Sequence, residues 1–251
     1  MISSIAMPLD FALILLFFAT VVPWLGRRRI RLLLSAAKTE KRERLALYAS
    51  TFVFQWLAVA VIYWRTRAHG ISAGALACAV PNVALIAVIS ILLCGFIFAN
   101  QFFSLRRLAS RPQDVKGSIA ELAQKIFPQD NSERAAFLAL VGTVAICEEF
   151  IYRGFAQHAF QNWLGGQILA GVLGSALLFS LAHIYQGPRG LVSTFVVGLL
   201  FAGIRAWTGS LLPEILAHFV ADSTAGLLAP RSLQSAQRAQ SVKPESLIIL
   251  Y

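Results

Sequence analysis

Charge is scarce in this chain of 251 residues. Only 14% of them are Asp, Glu, Lys or Arg, against about 25% in an ordinary soluble domain. Acidic residues are the scarcer kind, 12 against 22 Lys and Arg, which leaves a net charge of +10. Cysteine is also rare. Cys78, Cys94 and Cys147 all stand in apolar stretches without CxxC spacing, which argues against a disulfide framework or a thiolate metal site. HExxH is absent, so the chain has no zincin helix. GxSxG and Ser-Lys spacings are absent too, which removes the usual supports for a serine mechanism. No positively charged stretch precedes the first apolar run. Arg27, Arg28 and Arg29 follow it instead, the reverse of a secretory signal peptide.

What remains is mostly hydrophobic: 57% of the residues, with a mean hydropathy of +0.68. A helix needs about 20 apolar residues to cross the hydrocarbon core. The sequence predicts an all-α, polytopic transmembrane bundle of about seven spans, at 8–25, 45–64, 79–103, 134–160, 165–186, 190–207 and 211–229. The runs lack period-two alternation and are too long for barrel strands. We divide the chain into a scaffold of N-terminal spans and connector (1–133), a chemically loaded membrane core (134–229) and a loose polar tail (230–251). The stretch 104–133, with Pro112, Pro128 and mixed charges, suits an interfacial amphipathic helix.

The basic residues lie between the apolar runs, as topogenic charge does, so nucleic acid is not the expected partner. Eight Lys or Arg fall in 27–44, six in 106–134, Arg189 in a short turn and three in the tail. A seven-span chain puts all of these on one side. The positive-inside rule then predicts an outside N-terminus and a cytoplasmic C-terminus. With no evident organelle signal, a bacterial inner membrane is the expected location.

Ionisable groups inside spans are costly and mark function by default. The fourth span holds Glu148, Glu149 and Arg153 in the string EEFIYR. Glu149 and Arg153 are four apart and meet on one helical face. Glu148 has Tyr152 at that spacing and no local cation, so it is left free for chemistry. The fifth span ends in Phe179-Ser-Leu-Ala-His183. The seventh places Glu214, His218 and Asp222 at successive steps of four. Carboxylates and imidazoles are the groups that water activation needs, with or without a metal.

EEFIYR, FSLAH and HFVAD fit the patterns EExxxR, FxxxH and H-x-x-x-Asn/Asp. In that order and on successive spans, they resemble the CPBP family, also called the Abi or type II CAAX prenyl endopeptidase family, over about residues 134–229. The resemblance implies an intramembrane endopeptidase acting on a membrane-associated protein or peptide, with its site open to the cytoplasm. Glu148 would activate water, and His183 would assist or bind metal. His218 and Asp222 would stabilise the oxyanion or position the water. Glu149 and Arg153 would hold the motif in place. Zinc is one cofactor it admits, on Glu148, His183 and His218. Asp222 departs from the more usual Asn, whose amide can donate where an ionised Asp only accepts.

Depth sets one condition. His218 lies only about 10 Å along its span from Leu211, at 1.5 Å per residue. Meeting Glu148 therefore requires the 207–212 turn to dip into the membrane, or the spans to tilt. Two other classes compete with a protease: a non-proteolytic immunity or partner-binding membrane protein, and a proton-coupled transporter. No inverted repeat supports the transporter.

Overall fold

The computed structural model describes residues 7–36, 39–110, 123 and 125–241. Among these, regular structure is helical: α1 (Leu9–Ser35), α2 (Lys41–Ala68), α3 (Val83–Ser110), α4 (Asn131–Glu149), a π-helical segment (Phe150–Ala156), α5 (Gln157–Trp163), α6 (Ile168–Ala182), a 3-10 turn (Ile184–Gln186), α7 (Gly187–Thr208) and α8 (Leu212–Ser241). Five stretches are long and apolar enough to cross a membrane: Leu9–Ser35, Lys41–Ala68, Val83–Arg107, Asn131–Trp163 and Ile184–Thr208. Their outward faces are apolar, with Ile91, Leu92 and Phe96 all more than half exposed, as lipid rather than water would allow.

Each of the seven expected spans has a helix, with two differences. The fifth, α6, has only 15 residues, about 22 Å, short of a hydrocarbon core of about 30 Å. The last helix runs on to Ser241, so the tail expected to be loose from residue 230 begins as helix. Its Ala, Gln, Leu and Arg are good helix formers, which a reading by polarity alone overlooked. The expected interfacial helix within 104–133 falls largely on residues 111–122, outside the described residues.

Short polar sequences fix the basic end of the bundle. Glu40 and Glu43 form a capping box at the start of α2, each filling an orphan helical N–H. Asp130 caps α4 by accepting from the Glu133 N–H at 2.9 Å and pairs with Lys41 at 2.7 Å. Arg44 reaches Glu133 at 2.8 Å in a buried ion pair and donates to the Thr39 carbonyl at 2.7 Å. The α2 and α4 starts are thereby tied together. At the opposite end Asp10 takes Arg65 at 2.8 Å and His69 at 3.0 Å, joining the α1 start to the α2 end.

Close packing follows from small residues. A Cβ at Gly171 would come within 2.7 Å of the Gln157 carbonyl, and one at Gly174 within 2.6 Å of the Phe160 ring. These two glycines let α6 lie against α5. Gly166 takes a left-handed φ of +83° in the turn before α6. Between α7 and α8 the turn buries Thr208, Ser210 and Leu211. Gly209 supplies its left-handed corner, Ser210 bridges to Cys78, and the Leu211 N–H donates to the Ala77 carbonyl at 2.9 Å. The 70–82 loop is tucked into the bundle to receive it, with Leu76 and Ala77 almost fully buried.

Candidate active site

The EEFIYR string sits where α4 passes into the π-helical segment, a transition the sequence pattern did not indicate. Short π segments inside α-helices recur at functional sites. All seven residues of this one are buried. The tucked loop presses against it at Gly154, where a Cβ would stand 3.2 Å from the Leu76 carbonyl.

The two adjacent glutamates face different surroundings. Glu149 is fully buried and pairs with Arg153 at 3.2 Å, as the spacing of four predicts. Its Oε1 also takes His218 Nδ1 at 2.8 Å. A carboxylate oxygen accepts, so Nδ1–H is the donor. Arg153 is buried as well, with its guanidinium 4.2 Å from the Phe179 ring centre and 5.4 Å from that of Phe201, in cation–π range. Glu148 instead lines a cavity of about 480 Å³. Its Oε1 accepts from the Gln55 amide at 2.9 Å. Its Oε2 is buried and has no protein partner.

His183 lines the same cavity. It stands at the end of α6, where the short helix stops before the 3-10 turn. Its Nδ1 lies 2.9 Å from the Phe179 carbonyl. A carbonyl only accepts, so Nδ1 carries the proton and Nε2 is left as the ring's other polar atom. Phe179 is the partition of the site. Its ring packs on His183 with centroids 4.5 Å apart and on His218 at 6.2 Å.

The expected residues meet in two sets of contacts joined through Phe179, whose ring packs on both histidines. Glu148 and His183 share the cavity. His218, Glu149, Arg153 and Asp222 form a linked group beside it, in which His218 Nε2 lies 3.5 Å from Asp222. Tyr185, on the cavity wall, packs beside His183 with ring centroids 5.9 Å apart. His69 bonds Asp10 and His158 bonds Asn162, both outside this site.

Zinc was a candidate for Glu148, His183 and His218. Among the described residues no group of three or more His, Cys, Asp or Glu side chains is placed to hold a metal ion. His218 stands instead with Glu149 at Nδ1, 2.8 Å away, and Asp222 3.5 Å from Nε2, and no step below runs through a metal.

Sequence reasoning missed Gln55 and Tyr185. Gln55 carried a usable signal, since it is the most polar side chain within the apolar run 45–64 and polar groups in spans are suspects by default. Tyr185 carried none, because its role depends on how α6 ends. Glu214 was noticed but not placed. It is fully buried, neither carboxyl oxygen has a partner from another residue, and it lies within electrostatic reach of Glu149, Arg153 and Arg205.

Comparison with known families matches residues 130–224 to the profile described as type II CAAX prenyl endopeptidase Rce1-like. That stretch contains EEFIYR, FSLAH and HFVAD. Comparisons with curated proteins and with solved structures gave no match.

Proposed function

We propose that this chain, whose residues 130–224 belong to the Rce1-like type II CAAX prenyl endopeptidase family, hydrolyses a peptide bond of a membrane-associated protein or peptide by means of a water activated by Glu148. The observation that carries this reading is the Glu148 carboxyl group. One oxygen is anchored by Gln55, while the other is buried at the cavity wall without a protein partner. A buried acceptor left unpaired in this way calls for a water or a substrate group.

In the reaction, Glu148 Oε2 takes a proton from water while the hydroxide attacks the scissile carbonyl carbon. The same carboxyl then returns the proton to the departing amine, as a general base turned general acid does. His183, with Nδ1–H held by Phe179, directs Nε2 to the water and steadies it. His218, held at Nδ1 by Glu149, stabilises the developing oxyanion by donating Nε2–H in its protonated form. Asp222 orients His218 in this scheme, a role open to an acceptor where donation to an oxyanion is not.

Arg28, Arg29 and Leu32, toward the basic end of the bundle, form part of the cavity wall. By the positive-inside rule that end is cytoplasmic, which puts the N-terminus outside and the C-terminus inside a bacterial inner membrane. The test is a comparison of membrane proteomes from cells carrying wild-type protein and Glu148→Gln. Uncut substrates should accumulate with the variant while the protein itself stays at its normal level in the membrane. Identical proteomes, or turnover by the variant equal to wild type, would remove Glu148 as the base.

A further inference from the structure

Buried polar atoms without a hydrogen-bond partner gather around the His218 group. Glu149 Oε2, Arg153 Nε and Nη2, Arg205 Nε and both carboxyl oxygens of Glu214 have none among the described residues. Such atoms are rare in folded proteins and call for an explanation. Glu214 needs it most. It is fully buried, makes no ion pair among the described residues, and has no part in the chemistry assigned to Glu148. It stands one helical turn before His218, about 6 Å along the axis of α8.

The charged groups near Glu214 and His218 come from several elements. The end of α4 and the π-helical segment bring Glu149 and Arg153, which pair with each other and, through Glu149, with His218. From α7 comes Arg205, buried and donating only to the Ala75 carbonyl at 3.1 Å. Glu214 lies within electrostatic reach of Glu149, Arg153 and Arg205. On α8 itself, Asp222 stands 3.5 Å from His218 Nε2. Across the Phe179 ring lies the His183 imidazole. The remaining titratable neighbours are thiols, Cys94 on α3 beside Ala217 and Ala221 and Cys78 near Arg205. An ordinary thiol is mostly neutral at neutral pH.

Oxyanion stabilisation by His218 requires an imidazolium. Arg153, Arg205 and His218 are then the cations of the cluster, and Glu149, Asp222 and Glu214 its acids. With Glu214 ionised the charges cancel. With Glu214 neutral the bundle interior holds an uncompensated positive charge, a costly state away from water. Asp222 cannot serve alone, because its side chain is 42% exposed and water screens it. Burial favours a neutral Glu214, but two guanidinium groups favour the carboxylate. So does the start of α8, in whose first turn Glu214 lies, since a helix N-terminus attracts negative charge. We propose that Glu214 is a positioning residue, whose carboxylate is the counter-charge that keeps His218 protonated. Its effect on turnover rests on the endopeptidase reading of Glu148, whereas the two protonation states exist without substrate.

The experiment uses full-length protein in phosphatidylcholine nanodiscs at neutral pH. Infrared difference spectra between wild type and Glu214→Gln report whether the carboxyl group is ionised. Nitrogen-15 spectra of ring-labelled histidine, assigned with His218→Asn, report whether His218 is an imidazolium. Turnover is followed with an acyl-anchored, quenched-fluorescent peptide. Wild type should show an ionised Glu214 and a protonated His218. Glu214→Gln should turn His218 neutral and lower kcat about tenfold with KM unchanged, and the limb of the pH–rate profile that needs the protonated group should move about one unit toward acid. Adding Arg205→Gln to that variant removes one charge of each sign from the wild-type cluster. The double variant should regain the imidazolium and most of the rate, a rescue that a packing defect cannot produce. Should Glu214→Gln fail to accumulate, the double variant serves as the infrared reference. A protonated Glu214 or a neutral His218 in wild type overturns the proposal. So does a His218 signal that is the same with and without Glu214, which would make Glu214 a partner of Arg205 alone. The expected spectra without turnover of any peptide would remove the endopeptidase reading and leave the charge balance standing.

Discussion

His218 Nδ1 lies 2.8 Å from Glu149 Oε1, the same oxygen that takes Arg153 at 3.2 Å. That shared atom separates the work of two adjacent glutamates. Glu149 is committed to two cationic or polar hydrogens within the bundle, and Glu148 is left to the cavity. The arrangement joins α4 to α8 through a buried contact spanning 69 residues of sequence, so the chemistry and the packing of the last helix are coupled.

Arg153→Ala tests that coupling. Both members of the Glu149–Arg153 pair are fully buried, and removing one leaves the other as an uncompensated buried charge, at about 3–5 kcal/mol. The variant should accumulate less and unfold at a lower temperature in detergent. An unchanged melting temperature would show that the pair contributes nothing to stability.

Gln55→Leu should behave in the opposite way. It replaces the most polar side chain of the run 45–64 with a lipid-compatible one of similar size, so folding should persist. It also removes the hydrogen bond that fixes Glu148. A bond to a charged group is worth about 1.5–3 kcal/mol, which predicts a fall in kcat of about tenfold to a hundredfold with KM little changed. A rise in KM alone would place Gln55 in substrate binding instead.

Gln55 also shows what could be read from sequence and what could not. The helices were legible because length and apolarity alone define a span. Glu148, Glu149, Arg153, His183, His218 and Asp222 were legible as ionisable groups in such spans. Their division into two sets of contacts was not, because it depends on where α6 stops and on the π-helical turn that carries Arg153. Neither leaves a periodic signal. The 208–211 turn, which buries Thr208, Ser210 and Leu211, left no sequence signal beyond Gly209. Its partner, the tucked loop at Leu76 and Ala77, came from a segment that the apolar pattern assigned partly to connector and partly to the third span.

The clamp at the basic end carries a pH prediction. The Lys41 hydrogen bond, joined by the Glu133 N–H and the Ser132 hydroxyl, holds Asp130 well below the usual carboxylate range. A lowered folded-state value favours the fold once pH exceeds the ordinary value of about 4, and this contribution is lost as pH falls through the folded value. Asp130→Asn keeps a capping residue but removes the charge. Its melting temperature should lie slightly below wild type at neutral pH, and the gap should close in strong acid. A gap that persists unchanged at low pH would assign the difference to capping geometry rather than to charge.

Asp222 decides how the His218 group acts. Its carboxylate is 3.5 Å from His218 Nε2, and its side chain is 42% exposed against 9% for the histidine. An exposed pair at that separation is worth little, about 0.3–0.5 kcal/mol for a spacing of four on a helix. If Asp222 only orients the ring, Asp222→Ala should lower kcat by about twofold to threefold and leave KM in place. Asp222→Asn retains a carbonyl acceptor and should restore most of the rate, and the pH–rate profile should shift in the Ala variant while Asn returns it toward wild type. If position 222 acts on the oxyanion directly, the order reverses: the Asn amide can donate where an ionised Asp cannot, so Asp222→Asn should exceed wild type in kcat. Parallel measurement of kcat, KM and the pH profile for the two variants separates a residue that steadies His218 from one that touches the reacting carbonyl.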